Sequence, residues 1–160
     1  MSISVGDKVP KATFKRLTKD GMKDVPSSEL FDGKKVVLFA VPGAFTPTCS
    51  DVHLPGFITR VDDLKAKGAD TVACVAVNDA FVLSSWRKAR AIPDDILLLA
   101  DGNAEFTKAM GLELDASGHG MGTRSRRYAA IVDDGKVTYL GVEPGREVGV
   151  SSADAVLQHL

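Results

Sequence analysis

The chain contains few of the residues on which metal and cofactor sites are usually built. Its 160 residues include only two cysteines, Cys49 and Cys74, and three histidines scattered along the sequence. No cysteine or histidine pair has the spacing of zinc ligands, and no Cys-x-x-Cys motif of a dithiol redox protein is present. We therefore expect neither a metal ion nor a bound cofactor.

The sequence also lacks an excess of charge of either sign. Twenty basic residues nearly balance 21 acidic ones, which leaves a formal net charge of −1. Such a balance does not favour binding to nucleic acid or to an anionic membrane. No apolar run approaches the roughly 20 residues that a membrane-spanning helix needs, so we expect no membrane association.

The first residues, MSISVGDKVPKATF, have neither the apolar core of a signal peptide nor the arginine-rich composition of a transit peptide. A cytoplasmic location is therefore the default expectation. In that compartment two cysteines are expected as thiols or as a transient disulfide. A hydrophobic content of 44% over 160 residues predicts a single soluble domain, residues 1–160, with one sizeable core.

The most informative stretch of the sequence is KVVLFAVPGAFTPTCSD, residues 35–51. Val36 to Val41 is a short apolar run rich in β-branched residues, which predicts a buried strand that ends at Pro42. Thr46-Pro47 has the form of a helix N-cap followed by proline at the first helical position. Cys49 is then expected in the first helical turn, where unpaired backbone N–H groups favour a thiolate over a thiol.

Each of these residues also has a purely structural interpretation. Cysteine is among the residue types most often buried, so Cys49 is alternatively a small core residue. Threonine caps are common, so Thr46 alone indicates no more than the start of a helix. His53 lies one helical turn after Cys49 and could pair with it, but no third member of a catalytic triad is recognisable.

The remaining chain alternates between strand and helix patterns. Two short extended pieces around Asp20-Gly21 predict a hairpin, and Asp133-Asp134-Gly135 predicts a second one. A helix is expected to reach about Lys67, with a kink or short break at Pro55. We expect residues 113–125 to be irregular and the basic side chains that end the next helix, including Arg87, to be solvated. This order indicates an α/β domain with a mixed sheet flanked by helices.

At residues 42–49 the sequence resembles a known family. Pro42, Thr46 and Cys49 fit the Pro-x-x-x-Thr-x-x-Cys pattern of peroxiredoxins, and VPGAFTPTCSDVHLPGF is similar to the atypical type 5 and plant type II members. Further similar segments are VNDAFVLSSW, RRYAAIVDDG and VEPG. The resemblance implies a thioredoxin-like fold. It also implies a thiol-dependent peroxidase that reduces hydrogen peroxide and organic hydroperoxides in antioxidant defence.

The resemblance also assigns roles to residues. Cys49 would be the nucleophile that becomes a sulfenic acid, Thr46 would direct its hydroxyl towards the thiolate or peroxide, and Pro42 would shield the site from water. The arginine of the family falls on Arg127, although Arg124 and Arg126 are close in sequence. Alternation along an extended chain favours Arg127 over Arg126 as the inward-facing residue.

Regeneration of Cys49 is the least determined part of the prediction. By resemblance the reductant is glutathione with glutaredoxin, or thioredoxin, and the protein forms a homodimer. Cys74 is a possible resolving cysteine, but it lies inside an apolar run that favours a buried structural role. A non-enzymatic redox sensor switched by oxidation of Cys49 is the alternative function, and turnover of peroxide with a thiol donor separates the two.

Overall fold

The computed structural model describes residues 2–160 and contains nine strands and five α-helices within that range. The strands are β1 (Thr13–Thr18), β2 (Gly21–Pro26), β3 (Lys35–Val41), β4 (Thr71–Ala76), β5 (Ile96–Ala100), β6 (Glu113–Asp115), β7 (Thr123–Ser125), β8 (Tyr128–Asp133) and β9 (Lys136–Val142). The helices are α1 (Ser27–Phe31), α2 (Leu54–Ala66), α3 (Ala80–Arg90), α4 (Glu105–Met110) and α5 (Ala153–Leu157), with a π-helical segment at Cys49–His53 and a 3₁₀ turn at Ser117–His119.

Seven strands form one mixed sheet in the order β2-β1-β5-β4-β3-β8-β9. The three central strands β3, β4 and β5 run parallel, and β8 and β9 continue the sheet antiparallel to β3. The parallel strands are buried on both faces, which explains why they appear in the sequence as continuous apolar runs without alternation. The predicted mixed α/β sheet and both predicted hairpins are confirmed.

Helices cover both faces of this sheet and divide the core into two apolar clusters. On one face α2, α3 and α5 pack against the sheet through residues such as Phe57, Trp86 and Val156. On the other face α1 and α4 contribute Phe31 and Phe106. Cys49 and Cys74 both belong to the first cluster, so the two thiols lie on the same side of the sheet.

The helix that carries Cys49 begins at Pro47 and changes its winding before Pro55. Residues Cys49–His53 are π-helical, and the amide of Leu54 donates to the carbonyl of Cys49, five residues earlier. Pro55 has no N–H to donate and its ring crowds the preceding turn, so a local rearrangement of the ladder is expected there. The predicted break therefore takes the form of a π turn rather than a sharp kink.

Two sequence expectations were wrong. The segment expected to be irregular contains a small two-stranded sheet, β6 and β7, whose strands are three residues long and show no apolar period. Arg87 is half-buried, and its guanidinium donates to the carbonyls of Ile92, Pro93 and Ile96. It thus satisfies the carbonyls of the loop after α3 instead of extending into solvent.

Candidate active site

Cys49 lies where the central strand β3 passes into the helix. The connection, residues 42–48, is called the Cys49 loop below. Within it, the amide of Ala44 donates to the side-chain oxygen of Asn78, at 2.9 Å, which ties the loop to the end of the neighbouring strand. The amide of Ser50 donates to the carbonyl of Thr46, at 3.0 Å, and closes the first helical turn. Cys49 is completely buried in that turn.

Thr46 occupies the N-cap position through its backbone, but its side chain does not cap the helix. The hydroxyl donates instead to the carbonyl of Gly43, at 2.6 Å. The lone pairs of the hydroxyl oxygen therefore remain available to accept a hydrogen bond from a bound molecule. Pro42 is half-buried beside Gly43 at the end of β3. Its ring contributes an apolar wall and no hydrogen-bonding group.

A cation contacts the sulfur directly. Arg127 precedes β8, the strand next to β3, and its Nη2 lies 3.2 Å from the Sγ of Cys49. Its side chain is buried, with 6% of the residue exposed. Because water is excluded around this pair, the attraction between the guanidinium and a thiolate is screened much less than at the surface. The site thus places a fixed positive charge beside the sulfur of Cys49.

His53 binds the other terminal nitrogen of the Arg127 guanidinium. Nη1 of Arg127 donates to Nδ1 of His53 at 2.9 Å, and Nε2 of His53 lies 2.8 Å from the carbonyl of Ser151. These partners require a neutral ring with its proton on Nε2. Burial is the main cause that lowers the pKa of His53 to about 4, and the charge of Arg127 adds to it. His53 therefore stays neutral and accepts from Arg127 at physiological pH.

The other two arginines near β8 have different partners. Arg124 donates to the carbonyl of Met121, and Arg126 donates to the carbonyl of Glu143 at 3.4 Å. Burial alternates along this stretch, with Ser125 and Arg127 buried and Arg126 half-buried. Arg127 is thus the arginine of the three whose guanidinium contacts Cys49.

Cys74 lies in the middle of β4, opposite Phe39 of β3, and is 1% exposed. Burial raises its pKa well above the ordinary value, and the proximity of Cys49 adds to the effect. Both cysteines are free thiols. Cys74 therefore lies in an environment that favours the unreactive, protonated thiol.

The residue after Cys49 makes a contact that the sequence did not indicate. Ser50 is buried, and its hydroxyl accepts a hydrogen bond from the indole Nε1 of Trp86 at 3.0 Å. Trp86 is the single tryptophan of the chain and lies completely buried on α3. This bond connects the helical turn of Cys49 to α3.

Sequence reasoning considered His53 only as a direct partner of the thiol. Its contacts are instead with Arg127 and with Ser151, which is 98 residues away in the chain. The only sequence signal for this role is the four-residue spacing from Cys49, which places both side chains near one another on a helix. Within residues 2–160 no group of three or more His, Cys, Asp or Glu side chains is arranged to hold a metal ion.

Comparison with known proteins agrees with this geometry. Residues 4–157 match the family model described as Redoxin. The chain is 51% identical to Peroxiredoxin-2E, chloroplastic, of Arabidopsis thaliana over 99% of its own length and 70% of the relative's. The chain belongs to the peroxiredoxins. As a member of this family it is a thiol peroxidase with a role in antioxidant defence.

Solved peroxiredoxin structures have the same fold. A structure of reduced Prx3 from Vibrio vulnificus in complex with hydrogen peroxide superposes with a TM-score of 0.93 at 56% identity and covers 98% of both chains. Peroxiredoxin 5 from Alvinella pompejana gives a TM-score of 0.87 at 38% identity, over 98% of this chain and 97% of that one. The predicted thioredoxin-like fold and the predicted similarity to type 5 and type II peroxiredoxins are confirmed.

Proposed function

We propose that this peroxiredoxin reduces hydrogen peroxide and small organic hydroperoxides by direct attack of the Cys49 thiolate. The observation that carries the proposal is the 3.2 Å contact between Arg127 Nη2 and Cys49 Sγ, which joins two buried side chains. The thiolate attacks one peroxide oxygen, the O–O bond breaks, and the departing oxygen leaves as water or alcohol after taking up a proton. Cys49 becomes a sulfenic acid.

The neighbouring residues fit separate parts of this reaction. Arg127 stabilises the thiolate and the negative charge that develops on the departing oxygen. Thr46 offers an acceptor for the peroxide proton, since its own proton is directed to Gly43. Pro42 limits the access of water. The complete burial of Cys49 favours the smallest peroxides over bulky lipid hydroperoxides.

We further propose that an external thiol, rather than Cys74, resolves the sulfenic acid. A disulfide requires Cα atoms within about 7 Å and a reactive second thiol, whereas Cys74 is enclosed in a central strand with a raised pKa. Glutathione would condense with the sulfenic acid to a mixed disulfide and water. Glutaredoxin would then remove the glutathione and restore the thiolate. Thioredoxin is the second candidate reductant.

The test is peroxide consumption with glutathione and glutaredoxin, with thioredoxin and its reductase, and with no donor, measured side by side. The proposal expects sustained turnover with at least one donor and a single glutathione adduct on Cys49 of the oxidised protein. A disulfide between Cys49 and Cys74 in the peptide map would contradict external resolution. Oxidation without turnover with any donor would instead indicate the redox-sensor function.

A homodimer is part of the proposal, because several exposed apolar side chains lie in the segments that build the active site. Phe45 lies in the Cys49 loop, Val52 follows Cys49 by three residues, and Val150 precedes the partner of His53. Phe81, which is 63% exposed, begins α3 close to Asn78. Exposed apolar groups concentrated on one surface are typical of an interface.

Sedimentation of the reduced protein at micromolar concentration tests the dimer. The wild type is expected to sediment as a dimer and the Phe81→Arg variant as a monomer, since a buried unpaired charge disfavours the interface. Val5→Arg, which changes a similarly exposed apolar residue near the start of the chain, is the matched control. A monomeric wild type would contradict the proposal.

We propose a cytoplasmic location for the protein. The relatives differ in this respect, since Peroxiredoxin-2E is described as chloroplastic whereas the similar Peroxiredoxin-2B of Arabidopsis thaliana carries no such description. Two buried free thiols are compatible with a reducing compartment. Within the described residues no helix has the length and apolar character to cross a membrane. Fractionation of cells that produce the natural protein, followed by immunodetection, tests the location.

A further inference from the structure

We propose that Glu143 is a positioning residue for peroxide reduction. It has no hydrogen bond to Cys49 and acts on Arg127 through Ser151 and His53. The inference rests on the proposed function, because it assigns a residue that orients the proposed cation. Glu143 follows directly after β9, and the segment that it binds, residues 149–151, is called the anchor loop below.

Three donors of the anchor loop bind the same carboxylate oxygen of Glu143. Oε2 accepts hydrogen bonds from the amide of Gly149 at 2.6 Å, the amide of Ser151 at 2.8 Å and the hydroxyl of Ser151 at 2.6 Å. The residue is only 4% exposed. Burial opposes its ionisation, but the donors of Ser151 and Gly149 outweigh it and lower the pKa of Glu143. An ionised carboxylate therefore fixes the anchor loop at neutral pH.

The anchor loop in turn fixes the histidine. The carbonyl of Ser151 accepts from Nε2 of His53, and this bond keeps the proton on Nε2. With the proton there, Nδ1 presents a lone pair to Nη1 of Arg127, which directs Nη2 towards the sulfur of Cys49. A loop displaced from this position would leave the ring free to rotate or to carry its proton on Nδ1. Arg127 would then lose its acceptor and its fixed orientation.

Close contacts with β9 also restrict the anchor loop. A Cβ on Gly141 of β9 would lie 2.2 Å from the carbonyl oxygen of Val150, so only glycine lets the loop pass this close to the strand. The hydroxyl of Tyr139 donates to that same carbonyl. Glu143 and β9 together hold the loop, which places the Ser151 carbonyl 2.8 Å from Nε2 of His53.

The chain also offers a matched control. Glu147 lies four residues after Glu143 in the same segment, but it is exposed. Removal of its carboxylate changes the charge of the protein equally and leaves the anchor loop intact. A general electrostatic effect on peroxide reduction would appear in both variants, whereas a positioning effect would appear only at Glu143.

The experiment compares Glu143→Ala, Glu143→Gln and Glu147→Gln in two separate half-reactions. For Glu143→Ala we expect the second-order rate constant with hydrogen peroxide to fall about tenfold or more, because small misplacements of catalytic groups are costly. Glu143→Gln, which retains an acceptor oxygen, should fall less. Reduction of the sulfenic acid by thiol should be unchanged in both, and Glu147→Gln should match the wild type. A purely structural role would slow both half-reactions together.

A double-mutant cycle identifies the route. In a His53→Leu background the relay is already broken, so Glu143→Gln should cause no further loss of the peroxide rate constant. Fully additive losses, or Glu143 variants that react with peroxide as fast as Glu147→Gln, would overturn the inference. Because Glu143→Gln nearly preserves shape, it provides the test if Glu143→Ala does not fold. A wild type that consumes no peroxide would instead overturn the proposed function.

Discussion

Cys49 and Cys74 have almost the same burial and very different chemical surroundings. Both lie in the same apolar cluster on one face of the sheet, and neither is more than 1% exposed. Cys49 stands at a helix start with the guanidinium of Arg127 at 3.2 Å. Cys74 lies inside a central strand, where burial raises its pKa.

The comparison shows that two thiols equally deep in the core can have very different electrostatic surroundings. Desolvation alone favours the protonated form of a thiol, as at Cys74. At Cys49, by contrast, a buried guanidinium donates directly to the sulfur. The two thiols are therefore distinguished by their partners, and the partner of Cys49 comes from a distant part of the chain.

The largest expected effect separates the two thiols directly. Cys49→Ser should abolish peroxide reduction, because a serine hydroxyl is a poor nucleophile at neutral pH. Cys74→Ser should keep most of the turnover supported by glutathione and glutaredoxin. Initial rates of peroxide consumption measure both. Retained turnover in Cys49→Ser, or its loss in Cys74→Ser, would invalidate the distinction.

The second prediction tests the contribution of the Arg127 guanidinium to the reaction of Cys49. Arg127→Gln should lower the rate constant with hydrogen peroxide by about a hundredfold, the usual cost of losing a charge-stabilising donor. Arg60→Gln, which removes an exposed guanidinium of α2 that pairs with Asp63 and Asp154, is the control and should have little effect. Stopped-flow measurement of Cys49 oxidation distinguishes them. Equal rates in both variants would remove Arg127 from the reaction.

A third prediction concerns stability and pH. His53 has a pKa of about 4 in the folded protein against 6.5 for the free side chain, chiefly because of burial. Between these values the unfolded chain binds more protons, so the free energy of unfolding should decrease by up to about 3 kcal/mol as pH falls from 6.5 to 4.

Urea denaturation at several pH values measures this dependence. The His53→Gln variant, whose amide can accept from Arg127 and donate to Ser151 but cannot titrate, should show a flatter profile in that window. An equally steep profile in His53→Gln would show that other groups cause it.

The smallest expected effect is on the packing of Cys74. Cys74→Ser places a hydroxyl without a partner in an apolar strand and should reduce the free energy of unfolding by about 1–3 kcal/mol. Cys74→Ala leaves only a small cavity and should cost less than the serine variant. Thermal denaturation ranks the two. A serine variant as stable as the wild type would show that this site is more polar than the structure indicates.

Much of the fold follows from local patterns in the sequence. The apolar runs of β3 and β4, the Asp-Gly turns of the hairpins and the serine that caps α5 all carry their signal within a few residues. The β6–β7 pair was missed because each strand is only three residues long and neither has an apolar alternation. Arg87 was assigned to solvent because its acceptors are backbone carbonyls, which no sequence pattern marks.

The candidate site also has a part that local sequence predicts and a part that it does not. The positions of Pro42, Thr46 and Cys49 follow from one contiguous segment, in which strand end, turn and helix start are all visible. The connection from Cys49 through Arg127 and His53 to Ser151 joins three separate parts of the chain. Such a connection depends on how β8 and the anchor loop approach β3, and single-sequence periodicity contains no information about that approach.

The hydrogen bond between Trp86 and Ser50 gives this protein an internal optical reporter. The indole is the single tryptophan fluorophore of the chain, and its Nε1 donates to the residue adjacent to the nucleophile. Sulfenic acid or a glutathione adduct on Cys49 changes the polarity and packing one residue away, so the emission of Trp86 should change with each oxidation state. Peroxide reduction and thiol-dependent recovery can then be followed in the unlabelled protein as two successive changes in a single signal.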